Sequence, residues 1–247
     1  MLDKVKKIFP NIDKFNIFEG TIDTETQTEY FDYVINKRKD LNEDEIIKQK
    51  DEIFDKELDI ESKKHLIANL ASIPEVEVFR TLEKYAQNPD EELKFWIEIA
   101  LQENKAFLKS DLLDEKQIFI STGLGGEENK LRYFIVLISN NQEDFSDVQK
   151  RIISSEIQYF FKNNPSKLEN VEFGKYFVTI LTLFPLDANV QNIFSKIISE
   201  VNELGNFMSE NFIISNVKAL NLDETEELIT KLLKKEEDLE NNIEDIL

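Results

Sequence analysis

The chain contains no cysteine, which excludes disulfides, thiolate nucleophiles and cysteine-ligated zinc or iron–sulfur clusters. Its one histidine, His65, stands alone among 247 residues. A zinc site of two or three imidazoles cannot be assembled from it within one chain, and a Ser-His-Asp triad would have to use that residue. His65 falls between Lys64 and Leu66, one residue off an apolar helical stripe, the position of a surface or packing histidine. Glycine is scarce, at 6 residues, and no EF-hand spacing of carboxylates occurs. No run of about 18 apolar residues is present either. The first ten residues, Met1 to Pro10, carry charge with no apolar core after them, so the expectation is a cytoplasmic protein without membrane insertion.

What the chain has is negative charge and phenylalanine. With 50 acidic against 30 basic residues the formal charge is −20, a field that opposes the phosphate backbone of nucleic acids and the anionic surface of membranes. Nucleic acid is therefore not expected as a partner except at a local basic spot. Two such spots exist, Lys4, Lys6 and Lys7, then Lys37, Arg38 and Lys39, and both read as solvated surface because carboxylates flank them. Hydrophobic residues make up 41% of the chain and 19 of them are Phe, enough for a packed core. In a sequence so rich in carboxylates, the proximity of any two carries no information about acid–base catalysis.

Residues 1–114 read as a helical domain. The first 23 lack a clean period and are expected to form an irregular arm. Tyr30, Phe31, Val34 and Ile35 then recur at helical spacing, and Asn42 begins a thinly apolar helix with Ile46, Ile47 and Phe54. Asp59 suits the cap of a helix burying Leu66, Ile67, Leu70 and Ile73. Pro74 ends it and is expected in the first turn of the next helix, on which Val76, Phe79, Leu82 and Tyr85 share a face. Pro89 repeats the punctuation before Leu93, Trp96, Ile97, Ala100 and Leu101, where the register of Trp96 predicts core packing over an exposed anchor. The runs from Pro74 to Tyr85 and from Pro89 to Trp96 resemble the HEAT-repeat superfamily, over about residues 59–113. That resemblance implies a curved helical surface that holds a protein partner. The segment ending Leu131-Arg132-Tyr133-Phe134 is also similar to an uncharacterised bacterial family, which implies no function.

The period changes at Gln117, so the boundary is expected at Asp114-Glu115-Lys116, with an α+β domain over residues 115–222. Gln117 to Thr122 and Leu131 to Ile138 are expected to pair as a hairpin around Gly123, Gly125 and Gly126. A helix carrying Ile152, Ile153, Ile157 and Phe160 follows, then a hairpin turning at Gly174-Lys175, then a helix capped by Asp187 and stopped by Gly205, then a strand from Phe212 to Val217. The fold class predicted is α+β: a helical domain, a mixed five-stranded sheet with both helices on one side, and a separate C-terminal helix over residues 223–247.

Two places are candidate sites. The loop Ser121-Thr122-Gly123-Leu124-Gly125-Gly126 has the glycines of a phosphate cradle, but it leads through Glu127 and Glu128 into a strand where such a cradle needs a helix N-terminus. A hairpin turn is the simpler reading. The C-terminal helix, with Asp223 and Glu226 at capping-box spacing, keeps an apolar seam of Ile229, Leu232, Leu239, Ile243 and Ile246 suited to a partner helix. No cofactor, metal or catalytic residue is indicated. Two functions compete: a non-enzymatic interaction or adaptor module acting on a protein partner or a second copy of itself, and a small-metabolite-binding regulatory domain or enzyme centred on the α+β domain.

Overall fold

The structure, a computed structural model, describes residues 14–38, 42–114, 117–140 and 142–244. Contacts divide the chain into two units after Leu131. The first holds β1 (Lys14–Ile17), α1 (Thr24–Asn36), α2 (Glu43–Gln49), α3 (Ile60–Ala71), α4 (Val76–Ala86), α5 (Lys94–Leu113), β2 (Gln117–Ile120) and β3 (Gly126–Glu127). Asp59 caps α3 as expected, its carboxylate accepting from the Ser62 amide at 2.9 Å, and Asp23 caps α1 by accepting from the Thr26 amide at 2.8 Å, while Asn42 begins α2 without a side-chain cap bond. Pro74, expected in the first turn of α4, instead precedes its N-cap residue, Glu75. Trp96 lies in the core, 1% exposed, with its indole N–H donating to the Lys64 carbonyl at 2.9 Å. His65 stacks on the Tyr33 ring at 4.4 Å.

Consecutive residues of α5 tie this unit together. Gln102 exchanges two hydrogen bonds with the Glu19 backbone, at 2.8 and 2.9 Å. Glu103 accepts from the Tyr30 hydroxyl at 2.5 Å and from both Arg38 guanidinium nitrogens, at 3.0 and 2.6 Å. Asn104 sends its amide N–H groups to the carbonyls of Leu70, Ala71 and Ile73, while Arg38 donates to the Ala68 carbonyl and Ser72 to that of Asn69, so together they satisfy the open C-terminal end of α3. Arg38, expected as solvated surface, is thus half of a buried ion pair, with side-chain exposures of 8% for Arg38 and 5% for Glu103. Lys39 and the Lys4, Lys6 and Lys7 spot lie outside the described residues, as do Glu115 and Lys116 of the expected boundary.

The hairpin expected between Gln117–Thr122 and Leu131–Ile138 does not form. β2 pairs in parallel with β1, from Lys14 opposite Gln117 to Ile17 opposite Ile120. The apolar spacing at 117–120 specifies a strand but not its partner, and the partner is in the segment expected to be irregular. β3 makes the short hairpin, pairing Gly126 with Leu131 and Glu127 with Lys130.

The second unit contains β4 (Lys130–Ser139, from Arg132 onward), α6 (Asp147–Lys162), β5 (Lys167–Phe173), β6 (Phe177–Pro185), α7 (Val190–Glu203), β7 (Met208–Ser215) and α8 (Leu222–Glu244). The fold class is α+β. Strands run in the order β7–β4–β6–β5, with β3 on the first residues of β4 completing the five-stranded sheet. The succession βαββαβ in this order is the ferredoxin-like arrangement. Ser146 and Gln149 form a capping box at α6, and Asn189, in place of Asp187, caps α7. The β5–β6 hairpin turns on Lys175 and Tyr176, with the Gly174 amide donating to Phe177 at 2.9 Å. A Cβ on Gly174 would stand 2.3 Å from the Phe177 ring, which is why glycine is needed there.

Both helices lie on one face of this sheet. Ile153, Ile157 and Phe161 of α6 and Phe194, Ile197, Ile198 and Val201 of α7 pack with Ile135, Leu137, Val178, Ile180 and Phe184. Alternation then sends Ile138 and Ile213 to the opposite face. There they line one groove with Ile229, Leu232 and Leu233 of α8.

Candidate functional site

In the first unit a groove of about 270 Å³ opens beside the β1–β2 ribbon. Its floor is Ile17, Ala106 and Phe119, and its walls are Asn16 and Glu19 on one side and Lys105 and Lys109 on the other. The two lysines are one helical turn apart on α5, a rise of about 6 Å, so both ammonium groups stand over the same groove. Both are exposed, and neither forms an ion pair with a described residue. Phe119 is half-buried, its ring edge-on to Phe18 at 6.4 Å. The Gln102 clamp on Glu19 fixes the wall opposite the lysines.

The arrangement can hold an anion bearing a flat apolar part. Among the described residues that line it, two cations face one carboxylate, that of Glu19, a locally positive balance in a chain whose formal charge is −20. Sequence reasoning passed over it because Lys105 and Lys109 fall on the polar face of α5, and because Phe119 was expected in a hairpin with β4. The available signal was a pair of lysines at helical spacing with no carboxylate three or four residues from either on α5.

The glycine loop is close by but closed. Ser121 Oγ accepts from the Gln27 amide at 2.8 Å, and Thr122 Oγ1 donates to the Gly125 carbonyl at 3.3 Å. The Gly125 amide donates to Thr122 at 2.7 Å and the Gly126 amide to Phe18 at 2.8 Å, while the Gly123 carbonyl accepts from Ile22 at 3.2 Å. Gly123, Leu124, Gly125 and Gly126 are buried. Gly125 has φ +58°, and a Cβ there would sit 1.7 Å from the Gly20 carbonyl oxygen. Its glycines therefore let the loop press against residues 17–20.

The expected C-terminal seam is only partly described. Ile229 is 1% exposed and Leu232 41% exposed. Leu239 and Ile243 belong to α8, but their side chains, and all of Ile246, lie outside the described residues. The capping box of α8 is Asn221 with Glu224, at 2.9 and 3.0 Å, in place of Asp223 with Glu226. Among the described residues no cluster of three or more His, Asp or Glu side chains could hold a metal ion, and no helix is long and apolar enough to cross a membrane.

No known protein-family model matches the chain, and no curated protein matches it. Among solved structures it is similar to the REP-associated tyrosine transposase bound to a REP hairpin, at 10% identity and a TM-score of 0.32, covering 36% of this chain and 58% of that one. It is also similar to a putative transposase from Deinococcus radiodurans R1, at 11% identity and a TM-score of 0.36, covering 44% of this chain and 93% of that one. These comparisons correct two expectations, the adaptor acting on a protein partner or a second copy, and nucleic acid as an unlikely partner outside a local basic spot. One of the similar structures is described as a transposase bound to a REP hairpin and the other as a putative transposase. At such identities and TM-scores no residue role or activity passes from them to this chain.

Proposed function

We propose that the protein binds a short stretch of single-stranded nucleic acid in the groove under Lys105 and Lys109. The observation that carries this reading is the pair of exposed lysines, without an ion-pair partner among the described residues, one turn apart over the half-buried Phe119 ring. Cations that track a phosphate backbone beside an aromatic ring on which a base stacks are the elements of sequence-tolerant single-strand recognition. A duplex keeps its bases paired and stacked, so only an unpaired base reaches Phe119. The formal charge of −20 limits the contact to a few nucleotides, because each further phosphate meets the repulsive field. A cytoplasmic address belongs to the same proposal.

The test is fluorescence anisotropy of a labelled ten-nucleotide oligo-dT with the full chain over a range of salt. Two phosphate contacts give a slope of about −1.4 in log affinity against log salt. Lys105→Gln with Lys109→Gln should flatten that slope. Phe119→Leu should weaken binding by about 1–3 kcal/mol and leave the slope unchanged. Absence of binding at low salt, or binding indifferent to both sets of substitutions, refutes the reading.

A further inference from the structure

The second unit has a groove of its own, about 320 Å³, between the ends of β4 and β7 and the first turns of α8. Its body is aliphatic, with Ile138, Ile213, Ile229, Leu232 and Leu233 facing one space. Its rim carries hydrogen-bonding groups without charge: the amides of Asn140, Gln142 and Asn211. None of the lining side chains is ionisable, although 32% of the chain is Asp, Glu, Lys or Arg. Such a lining offers nothing to balance a charged ligand and would strip its hydration without return.

The rim is also in a particular state. Asn140 commits its Nδ2 to the Asn206 carbonyl at 3.1 Å, and Ser139 Oγ donates to Glu143 at 2.9 Å. The Gln142 side-chain amide has no hydrogen-bond partner among the described residues. Its backbone sits at φ +54°, a region that residues other than glycine seldom occupy. The side chain is exposed, so its amide is hydrated in the free protein and can exchange that water for a ligand group at the mouth of the aliphatic groove. The volume lies at the lower end of the range for small-molecule sites.

We infer that this groove binds an uncharged amphipathic small molecule, with its apolar body against Ile138, Ile213 and Ile229 and a carbonyl, amide or ring N–H group at Gln142. The site is independent of the nucleic-acid reading, since it involves none of the same residues. Leu232, 41% exposed, closes over the body of the ligand and loses its contact with water.

The experiment titrates the full chain with the neutral fluorophore N-phenyl-1-naphthylamine and repeats the titration with Leu232→Glu and Gln142→Ala, following the thermal midpoint by circular dichroism and the mass by light scattering. Saturable binding at one site per chain is expected. Leu232→Glu should weaken it at least tenfold, because a carboxylate then faces the aliphatic body, and Gln142→Ala should weaken it several-fold, both with the midpoint unchanged. An anionic naphthalene sulfonate should displace the neutral probe at least tenfold less effectively than an unlabelled neutral analogue. The inference is overturned by non-saturable binding, by equal affinity in both variants, by equal displacement by the sulfonate, or by a dimer in which the groove is covered by a second copy.

Discussion

Replacing Glu103 with alanine would remove the one carboxylate that both Arg38 and Tyr30 address, and would leave a guanidinium 8% exposed with no counter-charge. Breaking a buried ion pair by deleting one partner costs about 3–5 kcal/mol. Burial is the largest influence on Arg38 and opposes its charge, and in the parent Glu103 outweighs it. With Glu103 gone the guanidinium still keeps its proton, because arginine is not deprotonated in proteins, so the cost is not escaped by neutralisation. Urea unfolding is the assay, read by fluorescence of Trp96, the single tryptophan, whose ring lies 4.9 Å from that of Tyr30 and which therefore reports the first unit alone. With an m-value of about 2 kcal/mol/M, the midpoint should fall by roughly 1.5–2.5 M. The triple change Tyr30→Phe, Arg38→Met, Glu103→Leu should stay within about 1–2 kcal/mol of the parent, since apolar residues of similar volume often replace a buried network at little cost. The burial of Tyr30, with Glu103 beside it, raises its hydroxyl pKa well above the usual value. Its contribution is present below about pH 10 and is lost as pH rises further. A midpoint shift below about 0.5 M for Glu103→Ala would show that water screens the pair and would refute the reasoning.

Two further outcomes are expected. The Asp90 carboxyl is held below its ordinary pKa first by the Lys63 ammonium at 2.6 Å and then by the Tyr85 hydroxyl at 2.8 Å. Its folded pKa is depressed, so the stability it contributes is present above about pH 4 and lost as pH falls below that. Thermal midpoints of Asp90→Asn and the parent should differ at pH 6 and converge near pH 2, since the substitution leaves the Lys63 ammonium, 4% exposed, without its counter-charge. Equal midpoints at pH 6 would dismiss the pair. Gly125→Ala should cost at least about 2 kcal/mol by the Trp96 urea midpoint, from the left-handed backbone and the 1.7 Å approach to the Gly20 carbonyl together. A loss under about 0.5 kcal/mol would mean that the loop can move away from residues 17–20.

The elements legible in the sequence were those whose signals are local. Periodicity placed α6 and α7 on one side of a sheet, and caps such as Asp59 fell where their side chains accept the expected amide. Pairing was not legible, because β2 reads as a strand whichever strand it joins. The Arg38–Glu103 pair left a faint mark: Glu103 falls on the same helical stripe as Trp96, Ala100 and Ala106, a carboxylate where an apolar residue is due. In a chain with 50 acidic residues that mark was lost. Lys105 and Lys109 were visible as residues but not as a site, since their groove exists only once β1 has paired with β2 beside α5.

That pairing also sets a schedule for synthesis. β1 meets β2 about a hundred residues later, and Phe18 and Ile22 are bonded to Ile120 and Gly123. At about 5–20 residues per second, a ribosome takes roughly 5–20 s to deliver that partner. Through that interval the nascent β1 has its ladder groups unpaired, a strand edge open to any other chain. Helices α1 to α5 can assemble from contacts closer in sequence, and the groove with its two lysines would be completed last, when the glycine loop closes on residues 17–20.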